Sequence, residues 1–391
     1  MMMPFGQKSP TQIKKADLQG LIDTKASEGK DIDYKLMLPG KADGERREFL
    51  YDVSSFANTA GGYLVFGMEE TEGVAPALVG LENINPDDEI RRLEEMARDG
   101  IRPPIPGIQT APISLESGRL VIVMRIPKSW SLPHQVTYQK AFRFYARDTN
   151  GKYQLDVDEL RTVFVRSEQA AEKMRQFRLN RLSNIIADEA PAMLPSSSRM
   201  IIHLLPFAAF GGLVTLNLRE LPNDARSFVG LIGGFSNCRF NIDGFAVWNE
   251  TSYAQVFRNG CLEIVSICAT TDRPQSAAGF LPSVDFEQKI FVRVKHANEL
   301  MRSLFVEGPV AVMVSFTGVK GWQMGVPPGK YLTSKIDVFD RDPLIIPEVL
   351  IESVDGPSVL EMRSTIDAIW NAAGWPGSPH YDEFGNWDGN R

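Results

Sequence analysis

Carboxylates are the side chains in this sequence whose spacing points to chemistry. Glu28, Asp31 and Asp33 precede a hydrophobic helical stretch, and Glu69 and Glu70 follow the short apolar run behind it. If the residues around Ile32 to Leu36 pair with Tyr63 to Phe66, the two acidic groups meet at one end of a sheet. Clustered carboxylates raise one another's pKa values unless a cation lies between them. Hard oxygen donors favour magnesium or manganese, ions that activate water and stabilise phosphoryl transition states. Solvated acids at strand ends are the other account, since acids separate in sequence need not meet in space. Spacing alone leaves both open.

The element that must position these acids is Phe49 to Gly67, FLYDVSSFANTAGGYLVFG. Phe49, Val53, Phe56 and Ala60 recur at helical spacing, which puts an apolar stripe on one face. Asn58, Thr59 and the Gly61-Gly62 pair end that helix, because glycine adopts the left-handed cap without strain. Tyr63 to Phe66 reads as a strand covered on both faces.

The 391 residues suggest two domains, and 43% hydrophobic with 23% charged residues is ordinary for a globular chain. A net charge of −7 argues against wholesale coating of nucleic acid but leaves room for a local basic groove. Cys238, Cys261 and Cys268 form no CxxC pair, so neither a zinc site nor a disulfide framework is expected. Nothing near the start has a signal-peptide core and no apolar run is long enough to span a bilayer, so the expected location is cytoplasmic.

The pattern predicts an α/β (α+β) chain: mixed sheets with flanking helices, in two lobes joined by a long helix and a linker. Residues 1–20 read as a polar arm. Helices are expected around Ala16 to Thr24 and from Pro86, where Asn85 is a good N-cap. Gln109 to Leu115 and Arg119 to Ile126 read as a hairpin, and Ala141 to Arg147 as a strand with Arg143, Tyr145 and Arg147 on one face. The long helix runs from about Val157 to Ile186, with Leu160, Val163, Ala170, Met174 and Phe177 forming its apolar seam. Its basic residues, Arg175 and Arg178 among them, suit a solvated face or a phosphate-facing edge. A homodimer would cover that seam. The APAMLPSSS run, Ala190 to Ser198, is the clearest linker.

A second α/β region follows at 200–345, with strands at Met200 to Leu205, Phe240 to Val247, Tyr253 to Phe257, Leu262 to Ile267 and Val310 to Phe316. Asn259-Gly260 signals a hairpin, Asn241 to Gly244 looks like a turn within a strand pair, and Phe286 to Phe305 reads as an amphipathic helix. Residues 346–391 read as a last helix, Val359 to Ala372, and a tail. No Walker-type loop or GxGxxG is present in strand–turn–helix context.

Glu28-x4-Asp33-Tyr34-Lys35 followed by Ser55-Phe56-Ala57-Asn58-Thr59-Ala60-Gly61-Gly62-Tyr63-Leu64-Val65-Phe66-Gly67 resembles the Schlafen AlbA-like domain. That family's pattern is Glu-x4-Glu-Phe-Lys, a helix ending in FANT-x-GG, a YLLFG strand and then an acid. The resemblance covers about residues 21–168, with 169–199 as the long helix and linker beyond it. It implies a metal-dependent endoribonuclease acting on tRNA or other structured RNA, with a role in phage defence for a bacterial relative. Carried across, Glu28, Asp33, Lys35 and Glu69 or Glu70 are the catalytic residues. Glu28, Asp33 and Glu69 are the ligands of Mg2+ or Mn2+. Lys25, Lys30, Arg143, Arg147, Arg175 and Arg178 would guide the RNA backbone, and His134 sits on a loop near them. Asp33 stands where the family has Glu, Tyr34 replaces Phe, and the animal proteins' Cys/His zinc site is missing. The alternative is a regulatory module that binds nucleic acid or a nucleotide without cutting it, its acids serving only to hold lysines.

Overall fold

A computed structural model describes residues 5, 8–71, 73–129, 132–210, 216–219, 221, 225–234, 237–268, 279–304, 306, 308–326, 337–351 and 359–389. The chain divides into two compact units, residues 1–169 and 170–391. The division falls inside the long helix α4 (Val157–Ile186). It therefore does not coincide with the Pro- and Ser-rich linker, which joins α4 to the next strand within the second unit.

The first unit contains α1 (Lys15–Asp23), β1 (Ile32–Lys35), α2 (Asp43–Ala57), β2 (Gly62–Phe66), α3 (Pro86–Gly100), β3 (Ile101–Arg102), β4 (Gln109–Ser114), β5 (Leu120–Ile126), β6 (Gln135–Val136), β7 (Arg143–Asp148) and β8 (Gly151–Gln154). Its main sheet has the order β1-β2-β5-β4, and β3-β6-β7-β8 form a second. β1 and β2 are parallel, with Ile32 opposite Tyr63 and Lys35 opposite Phe66.

Period-two alternation sorts the core. Leu64, Phe66, Ile122 and Met124 face α2 and α3, packing on Leu50, Val53, Phe56 and Leu93. Ile32, Tyr34, Tyr63, Val65, Val121 and Val123 face the other way, onto Leu18 and Leu21 of α1. Each such fully buried side chain contributes roughly 1.5–3 kcal/mol. β2 is buried along its whole length, as its unbroken apolar run requires.

Helix α2 stops at Ala57, so Ala60 lies beyond it, in the turn. Gly61 takes the left-handed conformation (φ +74), and its N–H donates to Phe56 O at 2.9 Å. A Cβ there would lie 2.5 Å from the Lys128 backbone nitrogen. At α3 the sequence signals hold: Asn85 Oδ1 accepts from Asp87 N–H at 3.1 Å, Pro86 opens the helix, and Asp87, Asp88 and Glu89 occupy the positive end of its dipole.

The second unit contains β9 (Arg199–Pro206), α5 (Phe207–Phe210), α6 (Ala225–Ile232), β10 (Asn237–Phe240), β11 (Gly244–Trp248), β12 (Ser252–Phe257), β13 (Leu262–Ile267), β14 (Phe280–Pro282), α7 (Ser283–Ser303), β15 (Val310–Thr317), β16 (Gln323–Gly325), β17 (Leu344–Ile345), β18 (Val349–Ile351) and α8 (Arg363–Ala372). Its large sheet runs β10-β11-β12-β13-β9-β15-β17. The stretch Phe240 to Val247, with its expected turn at Asn241 to Gly244, forms the β10–β11 hairpin. Asn241 caps its turn, with its Oδ1 accepting from Gly244 N–H at 2.7 Å. The Asn259-Gly260 turn joins β12 to β13 as expected, with Gly260 at φ +90. Phe305, the expected end of α7, lies outside the described residues.

Candidate functional site

The edge strand β1 and the helix α2 gather a cluster of acids and bases. Asp33 is 4% exposed, and its Oδ2 accepts from Arg147 Nη2 at 2.8 Å. Lys35 Nζ lies 2.8 Å from Asp33 Oδ1 and 3.6 Å from Asp52 Oδ2. Asp52, 2% exposed, also meets Arg147 Nη1 at 3.5 Å and Lys152 Nζ at 2.7 Å, and Lys152 pairs in addition with Glu48. Glu28 completes the group. Its Oε1 accepts from Tyr34 N–H at 2.7 Å, and its carboxyl reaches the Asp33 carboxylate.

The FANT segment makes this placement possible. Asn58 Nδ2 donates to His134 O at 2.9 Å and Tyr145 O at 2.8 Å, while its Oδ1 accepts from His134 N–H at 2.7 Å. Thr59 Oγ1 accepts from Arg147 N–H at 2.8 Å. The Phe56 ring lies 4.1 Å from the Arg147 guanidinium. Phe, Asn and Thr of this motif thus clasp β7 to the end of α2 and aim Arg147 at Asp33.

The electrostatics follow from that packing. Burial pushes Glu28 up to about 7, and the Asp33 charge adds to the shift. Burial would also raise Asp33, but Lys35 and Arg147 hold it below the usual carboxylate range. Asp52 is raised by burial and by Asp33. Burial opposes the Lys35 charge, yet Asp52 and Asp33 outweigh it and raise its pKa. At neutral pH a partly protonated Glu28 therefore stands beside an ionised Asp33 and a charged Lys35.

The remaining expected residues separate into three groups. Glu69 and Glu70 are exposed. Because β1 and β2 are parallel, these two acids leave the sheet at the Lys35 end, whereas Glu28 precedes β1. Their loop does turn back: Glu70 Oε1 accepts from Gly73 N–H at 2.5 Å, and Gly73 O accepts from Glu28 N–H at 2.6 Å. Lys25, Lys30 and Arg143 are exposed, as phosphate contacts must be. Arg147 and Arg178 are buried, and this corrects their expected role on the RNA backbone. Arg147 is held by the acids, and Arg178 Nη1 donates to Ile346 O at 2.9 Å. Arg175 is ion-paired to Glu348 at 2.9 Å. His134 is fully buried, with Nδ1 2.8 Å from Pro103 O, and burial lowers its pKa.

Among the described residues no group of three or more His, Cys, Asp and Glu side chains is placed to hold a metal ion. The donor set is instead a pair, Glu28 against Asp33, with Glu28 raised by burial first and by Asp33 second. Magnesium commonly takes one or two carboxylates and fills its shell with water and substrate phosphate. Both Asp33 oxygens are engaged by Lys35 and Arg147, so an ion at this pair would have to share that carboxylate with them.

Sequence reasoning missed Asp52 and Lys152. An acid between Leu50 and Val53, inside an apolar helical face, was the available signal for Asp52. Lys152 gave none, because only the β7–β8 pairing of Arg147 with Lys152 brings it to α2.

Residues 28–156 match the family model described as Schlafen, AlbA_2. No curated protein matches the chain. Among solved structures 19 chains match. One is the crystal structure of the DIP2311 protein from Corynebacterium diphtheriae, at 18% identity and a TM-score of 0.25, covering 36% of this chain and 26% of that one. No helix among the described residues is long and apolar enough to cross a membrane.

Proposed function

We propose that the chain, whose residues 28–156 match the Schlafen AlbA_2 family model, acts on nucleic acid as a metal-dependent endoribonuclease of tRNA or other structured RNA. The observation that carries this reading is the meeting of Glu28, Asp33 and Lys35 at the edge of β1, where the Lys35 ammonium is 2.8 Å from Asp33 and its side chain remains 36% exposed. Glu28 and Asp33, with Glu69 or Glu70, would hold Mg2+ or Mn2+. When bound, such an ion supplies charge stabilisation at phosphoryl oxygens. Lys35 is placed to steady the scissile phosphate. Arg147, too buried to meet RNA, acts as a positioning residue that fixes the Asp33 carboxylate. Lys25, Lys30 and Arg143 offer exposed charge to the backbone.

A second reading has its own support. Both Asp33 oxygens and both Asp52 oxygens already face basic side chains, so the cluster also serves as the charged keystone of a module that binds without cutting. Incubation of total tRNA with Mg2+ or Mn2+, wild type against Glu28→Gln, separates the two. Cleavage that vanishes in the variant and with chelator supports the nuclease. Salt-sensitive tRNA binding without cleavage supports the binding module, and equal cleavage by both proteins refutes Glu28 as a site residue.

A further inference from the structure

Next to the acid–base cluster two tyrosines stack. Tyr51 of α2 and Tyr145 of β7 have ring centroids 4.2 Å apart and planes inclined by 32°, and both are partly exposed. Arg47 lies one helical turn before Tyr51, on the same face of α2. Arg143 lies two residues before Tyr145, on the same face of β7. Both arginines are exposed. The Arg143 guanidinium reaches Gln154 Oε1 at 3.4 Å and the Tyr145 hydroxyl, and among the described residues neither arginine is ion-paired. Burial and Tyr145 raise the Tyr51 pKa, while both guanidinium charges oppose that rise.

The position is as telling as the composition. Asp52 follows Tyr51 directly, and Arg147 is two residues beyond Tyr145, so the aromatic pair adjoins the carboxylate cluster. A pair that only packed α2 on β7 would require neither an exposed rim nor two exposed cations beside it. Aromatic faces flanked by arginines are how proteins hold unpaired bases, the ring taking the base and the cations the adjoining phosphates. A base within a duplex has no free face to offer.

We propose that the Tyr51–Tyr145 pair is a stacking platform for one unpaired nucleobase of the RNA strand, with Arg47 and Arg143 on the flanking phosphates. This rests on the nucleic-acid reading above and narrows it to a single-stranded or looped segment at the site.

The test is fluorescence anisotropy of the full chain with labelled oligouridine, an abasic strand of equal length, and a blunt RNA duplex. Wild type should prefer oligouridine to the abasic strand. Tyr51→Leu should weaken oligouridine binding on the order of ten-fold while leaving abasic binding unchanged. Arg143→Gln should weaken both strands and reduce the slope of log affinity against log salt by about 0.7. Oligouridine binding that is equal in wild type and Tyr51→Leu overturns the platform and leaves the nucleic-acid reading standing. Failure of wild type to bind any of the three probes overturns both. Photocrosslinking of a 4-thiouridine strand to unmodified protein needs no variant to fold: adducts at Tyr51 or Tyr145 support the platform, and adducts confined to other residues overturn it.

Discussion

Replacing Arg147 by leucine should unlock the carboxylate cluster, and the size of the effect can be worked from the contacts. The Arg147 side chain is 3% exposed and faces Asp33 at 2.8 Å and Asp52 at 3.5 Å. Removing one member of a buried ion pair costs about 3–5 kcal/mol, because the partner keeps its desolvation penalty and loses its compensation. Here Lys35 at 2.8 Å and Lys152 at 2.7 Å remain to neutralise the two acids, which places the expected loss at the lower end, about 3 kcal/mol. With a urea dependence of about 2 kcal/mol per molar, the midpoint should fall by roughly 1.5 M. Pulsed hydrogen exchange along a urea series, read by mass spectrometry on peptides covering β1 and β7, follows the first unit separately from the second. Asp33→Asn in the Arg147→Leu background should cost less than in wild type, with a coupling of at least about 1 kcal/mol. A midpoint shift below about 0.5 M, or strict additivity of the two substitutions, would refute the account of Arg147 as the counter-charge of Asp33.

Further outcomes follow from other contacts. Asn58→Ala removes three hydrogen bonds to His134 and Tyr145 and should destabilise the first unit by about 3 kcal/mol; urea titration checks it. Gly61→Ala forces a side chain into φ +74 against the Lys128 backbone and should destabilise the same unit by at least about 2 kcal/mol, from strain and contact together. In the second unit, burial would raise Glu263, but Arg181 and His203 hold it down at about 2, from an ordinary value of 4.5. Its folded value is the lower one, so its contribution is complete above pH 4.5 and is lost as pH falls through 2. That contribution is about 3 kcal/mol. Arg181→Met should therefore move the acid-unfolding midpoint, followed by tryptophan fluorescence, to higher pH; an unchanged midpoint would remove Arg181 as the cause.

How much of this was legible differs from residue to residue. The helix-turn-strand unit around Phe49 to Gly67 was readable because each local signal agrees with its neighbours. Apolar residues recur at helical spacing, a glycine stands where only positive φ fits, and an unbroken apolar run marks a strand buried on both faces. The β4–β5 and β12–β13 hairpins were readable for the same reason, since a turn and its strands are adjacent in sequence. Where a signal was weaker the reading slipped. Ala60, counted with the helical spacing, lies in the turn beyond α2.

Sequence by itself determined which residue types reach the site: the acids around β1, Lys35, and the FANT segment that ends α2. Only tertiary structure decided what they do there. Arg143 and Arg147 alternate to the same face of β7, yet one is exposed and the other is sealed against Asp33, because α2 covers only part of that face. Asp52 and Lys152 are a hundred residues apart in the chain and 2.7 Å apart in space. Charge and periodicity are properties of short segments and can be read from them. Burial, counter-charge and the direction of a pKa shift depend on which distant segment packs alongside, and no local pattern contains that.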